Sequence, residues 1–199
     1  IPSGIQSKIE QDKNGGILPV YSVFFYSNLK EKPLMDLENQ GLQLYLFRGS
    51  SPFGGLSNGS QSYLYIKYLL ESFIERHQIS IIMEAEHNFK DPIFSSKMNY
   101  PIGHDWRPYK KGYRSQLKYH VPLLYPDYSL PLDISYIKRV SVFSFLEAAN
   151  IDSQNKLAIG TGITVDVGGF FDFKLPIPLT LIFFQNIDSS DIGIKLRFN

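Results

Sequence analysis

Cysteine is absent from the 199 residues, which removes disulfide scaffolds, thiolate metal sites, iron–sulfur clusters and cysteine nucleophiles together. Net charge is nearly absent as well. Twenty Lys+Arg stand against nineteen Asp+Glu, so no global field draws the chain to a polyanion, and nucleic acid is not an expected partner. Long apolar runs are missing: none reaches the roughly 18 residues of a membrane-crossing helix, although 43% of the residues are hydrophobic. Tryptophan occurs once, yet 15 Phe and 13 Tyr raise aromatics to 15%. The length suits one domain or part of a larger one. The chain opens on Ile1 without a charged-then-apolar leader, and the expectation is one barrel segment over 1–199 that continues upstream of Ile1.

Alternation sets the class. Ile79, Ile81, Met83 and Ala85 fall on one parity and Ser80, Glu84 and Glu86 on the other. Period two marks a strand with unlike faces. Leu117, Tyr119 and Val121 alternate in the same way with Gln116, Lys118 and His120. So do Ile163 and Val165 with Gly162, Thr164 and Asp166, and Ile192, Ile194, Leu196 and Phe198 with Gly193, Lys195 and Arg197. No comparable stretch keeps a 3.6 period. Nine strands are expected, at 17–27, 40–48, 61–74, 77–88, 113–122, 130–145, 156–167, 170–184 and 191–198, with residues 3–9 a candidate tenth. All exceed the usual ~5–6 residues of globular strands, and most are long enough for a tilted bilayer crossing, which takes ~9–11. Pro176 and Pro178 fall in the eighth, where they forfeit ladder donors and should mark a bulge, an edge or an interrupted pairing.

The connections form a second pattern. They are expected at 28–39, 49–60, the tight 75–76, the 24-residue 89–112, 123–129, 147–155, the tight 168–169 and 185–190. Outer-membrane barrels alternate short periplasmic turns with longer external loops. With the last strand running toward the periplasm, both tight turns and the longest loop fall on their proper sides; 28–39 is too long for its side. Aromatics near strand ends (Tyr63, Tyr65, Phe89, Tyr119, Phe170, Phe171, Phe183, Phe184) suit interfacial girdles. The polar parity carries both signs, including Lys67, Glu84, Glu86, Lys118, Arg139 and Asp166, as a hydrated lumen would. The expected fold is therefore all-β, an antiparallel transmembrane β-barrel or the C-terminal part of one, with about 9–10 strands. A soluble β-barrel or sandwich binding domain has the same alternation with its faces reversed.

From about Tyr100 onward the sequence resembles the C-terminal barrel of the bacterial surface-antigen superfamily, which includes the outer-membrane insertase and two-partner secretion pores. Lys111-Gly112-Tyr113 resembles that family's Arg-Gly-Tyr/Phe loop motif. Gln116 through Leu123 resembles the following strand, and Phe145-Leu146-Glu147-Ala148-Ala149-Asn150-Ile151 resembles Phe-x-Asp-x-Gly-x-Val. Ile159 to Pro176 resembles the penultimate hairpin, and Ile192 to Phe198 the closing strand, with Phe198 as the C-terminal barrel signal. Val121 through Asp127 also resembles barrels attached to Tol-related periplasmic propellers.

The resemblance implies a bacterial outer-membrane location and a role in inserting or translocating proteins. It implies as partners outer-membrane lipid, lipopolysaccharide and other outer-membrane or periplasmic proteins. It also implies a lumen-folded loop in which Lys111 takes the arginine position and Glu147 its acidic counterpart, with the segment near Gly112 and Tyr113 inside and Phe145 beside it. Two departures stand out. Lysine lacks the planar fork of arginine, and Ala149 replaces a glycine. A structural anchor without transport activity is the alternative role, and a passive pore or small barrel enzyme ranks below both.

Catalytic chemistry is not expected. His77, His87, His104 and His120 are scattered, with no nucleophile, base and orienting group in a recognisable arrangement. His104-Asp105-Trp106-Arg107 is the only dense polar cluster of the long loop. Glu84 and Glu86 share one strand face, as an acidic patch opposite Lys67 or Lys118. Gly160 and Gly162 precede no helix, so they read as room for close strand approach. No cofactor or metal is expected.

Overall fold

The computed structural model describes residues 20–31, 38–50, 59–74, 76–89, 95–125, 128–129, 136–168 and 177–198. Eleven strands and no helix occur among them. The strands are β1 (Val20–Ser27), β2 (Lys30–Glu31), β3 (Glu38–Ser50), β4 (Ser60–Glu71), β5 (Gln78–Phe89), β6 (Lys111–Leu124), β7 (Tyr128–Ser129), β8 (Tyr136–Ile151), β9 (Gln154–Gly168), β10 (Ile177–Asn186) and β11 (Ile192–Phe198). The nine long strands form one meander in the order β1-β3-β4-β5-β6-β8-β9-β10-β11, with β2 beside β3 and β7 beside β8. Every pairing is antiparallel. Among the described residues β1 and β11 do not pair with each other, and the sheet is not closed. The candidate tenth strand at 3–9 lies outside the described residues.

The nine expected strands all appear, with two instructive differences. Residues 147–155 were expected to connect strands, whereas β8 and β9 run through them to a two-residue turn. That turn is Asp152-Ser153, with φ of 47° and 71°. Positive φ at both central positions is the type I′ geometry whose twist suits a hairpin. Alternation simply continues past the expected break, because Phe145, Glu147, Ala149 and Ile151 are all buried on one face.

The second difference concerns proline. Pro178 stands opposite Asp166 of β9, one residue before the β10–β11 ladder begins at Leu179 and Phe198. Its missing N–H thus costs no ladder bond on the β11 side. Pro122 sits where the β6–β8 register shifts. Gly169, Phe170, Phe171, Asp172, Lys174 and Pro176 lie outside the described residues, as does Asp133.

The two faces have opposite chemistry. Leu117, Ile163 and Ile194 are 47%, 43% and 66% exposed, while Glu86, Glu147 and Asp166 are 2%, 1% and 3% exposed. Asp166 is covered in an ion pair with Arg139. The apolar side is turned out and the polar side is covered, the reverse of a sheet packed on an oily core.

The segment 95–110 is folded back over the part of the polar side that carries Glu84, Glu86 and Glu147. Met98 and Tyr109 pack with Phe47, Tyr63 and Ile151. Ile102 packs with Phe143, Phe145 and Ile182, with Phe184 alongside. The segment therefore touches strands from β3, where the Lys97 ammonium lies 4.1 Å from the Phe47 ring centre, to β10. Those strands are six spacings apart, about 29 Å across a flat sheet. Gln116 of β6 and Arg197 of β11, four spacings or about 19 Å apart across a flat sheet, line one cavity of about 70 Å³ together with Ile102, so the sheet curves around the segment. Glycine makes room on that concave side: a Cβ at Gly160 would stand 2.3 Å from the Phe183 carbonyl oxygen and 2.6 Å from the Phe145 ring.

Candidate functional site: a loop tied to buried carboxylates

Strand period places Glu84 and Glu86 on the same face of β5. Pairing then sets Arg114 of β6 opposite Glu84, and Glu147 of β8 opposite Gln116, one step along the same face of β6. Three carboxylates and one guanidinium converge beneath the loop. Arg114 gives Nη1 to Glu84 and Nη2 to Glu147, the latter at 2.9 Å. Gln116 donates to the same Glu147 oxygen at 2.8 Å, and the backbone N–H of Ile102 donates to the other at 3.1 Å.

Glu86 is the second anchor. Its Oε2 accepts the N–H groups of Lys97 and Met98 at 2.8 and 2.7 Å and the Ser96 hydroxyl at 3.1 Å. Its Oε1 accepts Gln61 and Asn88 side-chain amides at 2.8 and 2.9 Å. Glu84 accepts the Tyr63 hydroxyl at 2.7 Å and the Asn99 side-chain amide at 3.2 Å. These are charge-assisted bonds in a covered site, the stronger kind.

Further fastenings hold both ends of the segment. Asn186 donates its side-chain amide to the Gly103 carbonyl at 3.0 Å, and His104 Nε2 lies 3.4 Å from Asp188. Burial pushes the His104 imidazole below its ordinary value, with Asp188 pulling the other way. Asp152 in the β8–β9 turn accepts the backbone N–H groups of Lys110 and Lys111 at 3.0 and 2.9 Å. Burial, followed by the charge of Glu86, pushes the Tyr109 hydroxyl up, so it serves as a neutral hydrogen-bonding group beside Ser96. Donors engage each of the three glutamates. The arrangement is built to hold a segment in place rather than to take a proton from a substrate.

The expected site residues are divided between the faces. Glu147, Phe145 and Gly112 lie on the covered side, whereas Lys111 is exposed and Tyr113 is 57% exposed on the outer side. Lys111 therefore does not meet Glu147; Arg114 does. The reason is parity: residues 111 and 113 point away from the face that carries 112, 114 and 116. Lys118, which was expected opposite the glutamates, instead has its ammonium 3.8 Å from the centre of the Phe143 ring. Of the polar loop cluster, His104 is half-buried, while Asp105, Trp106 and Arg107 are exposed. Phe198 is 68% exposed on the edge strand β11. Arg114 escaped the sequence reading, although its shared parity with Gln116, Lys118 and His120 is a usable signal. Among the described residues no group of three or more His, Asp or Glu could hold a metal ion.

Gly112 is the floor under the loop. A Cβ there would stand 2.4 Å from Met98 Cε and 2.9 Å from the Tyr109 ring. Gly112→Val is expected to lift the segment at a cost of about 1–3 kcal/mol from overpacking, leaving the β5–β6 pairing in place. Tryptic cleavage after Lys97 and Lys110 should then accelerate several-fold, and an unchanged cleavage rate would contradict the contact.

Fold and site together define an antiparallel β-meander with its own loop tied down on one part of its polar face. Comparison with protein-family models, curated proteins and solved structures returns no match.

Proposed function

We propose that these strands form wall of a bacterial outer-membrane β-barrel of the surface-antigen type, and that the protein acts in inserting or translocating other proteins at that membrane. The observation that carries the location is the inverted polarity of the sheet. A face bearing exposed Leu117, Leu146, Ile159, Ile163 and Ile194 has no protein covering it among the described residues, and hydrocarbon is the environment that suits it. In lipid an unpaired strand edge costs several kcal/mol per orphaned group (order of magnitude), so the edges at β1 and β11 require partner strands, from this chain or another. The transport role rests on the resemblance of the sequence from about Tyr100 onward to the surface-antigen barrels, where a seam between strands works beside a lumen loop. The number of fastenings on segment 95–110 favours a second reading, a fixed plug in a structural anchor for outer-membrane or periplasmic partners.

The absence of native cysteine makes a direct test simple. Single cysteines at Leu181 and Ile163, carrying an environment-sensitive fluorophore in vesicle-reconstituted protein, are expected to be quenched by doxyl-labelled lipid and shielded from aqueous iodide. A label at Ser141, on the covered face, should resist the lipid quencher. Iodide quenching at 163 and 181 without lipid quenching would end the proposal.

A further inference from the structure

A groove of about 520 Å³ lies on the apolar outer face beside the loop-bearing end of the sheet, within the ~300–1,000 Å³ common to small-ligand sites. Register explains both its walls and its rim. Phe24, Leu46, Leu64, Ala85 and Tyr113 stand side by side across β1, β3, β4, β5 and β6. Ala85 is the small residue of that row, and the groove opens above it. Two residues nearer the loop end, the same face carries Ser22, Arg48, Ser62, His87 and Lys111. That second row holds a guanidinium, an imidazole and an ammonium, all exposed, together with two hydroxyls and no carboxylate. Glu86 borders the groove but is 2% exposed, its carboxylate turned to the covered side, where it accepts the N–H groups of Lys97 and Met98; Asp152, in the adjoining turn, is occupied by the backbone N–H groups of Lys110 and Lys111.

From this juxtaposition we infer that the groove binds a phosphorylated glycolipid of the lipid A kind, with an acyl chain over Ala85 between Leu64 and Tyr113 and its phosphates against Arg48 and Lys111. The inference rests on the proposal that this face meets lipid and goes further by giving one place on it a ligand. Charge complementarity selects the occupant: an uncharged chain would use the apolar row alone, whereas only an anionic headgroup uses the cationic row as well. The loop-bearing end is also the external end if the last strand runs to the periplasm, which puts the cationic row at the leaflet where phosphorylated glycolipid resides.

The test is native mass spectrometry of the purified protein with added lipid A, phosphatidylglycerol or phosphatidylethanolamine. Lipid A should be retained in preference to both phospholipids. In the Arg48→Gln/Lys111→Gln variant its retention should fall about tenfold, and Ala85→Trp, which fills the groove without altering charge, should also reduce it. Doxyl-lipid quenching at a label on residue 181, far from the groove, is read on the same variants. If quenching persists while lipid A retention is unchanged by either variant, or equals that of phosphatidylethanolamine, the groove assignment is overturned and the membrane wall stands. If quenching at 181 is absent from the unmodified protein, the wall itself fails and the groove with it.

Discussion

Arg114→Ala is expected to cost about 3–5 kcal/mol, because it leaves Glu84 and Glu147 covered without their shared cation. The whole network is exposed to this one change. Arg114 links β5 to β8 through β6, and the Ile102 N–H that pins the loop depends on the same Glu147. Arg114→Lys keeps the charge but cannot span two carboxylates with one planar fork, so it should fall between the alanine variant and the parent. Lys111→Ala, exposed and on the opposite face, should stay within about 0.5 kcal/mol. Urea midpoints of the detergent-folded variants give the ranking, and tryptic cleavage within 95–110 reports whether the loop has been released. If Arg114→Ala proves as mild as Lys111→Ala, the clamp described here has no energetic weight.

Ile163→Arg is expected to destabilise the protein in vesicles by about 2–4 kcal/mol if the residue lies near the middle of the bilayer. Its side chain is 43% exposed on the apolar face, flanked in register by Val142 and Leu181. Thr164→Arg adds the same charge to the other face, where Thr164 shares a 3.0 Å hydroxyl contact with Thr180. The loss there should be smaller if that face lines the hydrated lumen of the proposed barrel. Were the outer face bathed in water, Ile163→Arg would fall within about 0.5 kcal/mol, as for an ordinary surface change. Equal tolerance at the two positions, measured by urea titration of the reconstituted variants, would remove the distinction on which the membrane reading depends.

Much of this architecture was legible in one dimension. Successive Cβ atoms point to opposite sides of any strand, so the period-two runs around Ile81, Leu117, Ile163 and Ile194 identified strands and sorted residues by face without knowledge of their neighbours. The hairpin at Asp152-Ser153 was hidden because Glu147-Ala148-Ala149 looks like a loop when read alone. A charged residue within a strand makes sense only once Arg114, 33 residues earlier, is known to face it. The same limit explains Lys111: the motif it resembles names a cation, but the register of β6 against β5 and β8 decides which cation faces inward.

The sequence by itself determined the strands and the separation of polar from apolar side chains along them, since both follow from local backbone geometry. Only the tertiary structure decided which of the two faces is enclosed, and that the segment from 95 to 110 lies within it. Those outcomes depend on the curvature of the whole sheet and on pairings between residues far apart in the chain, where no local period carries the information.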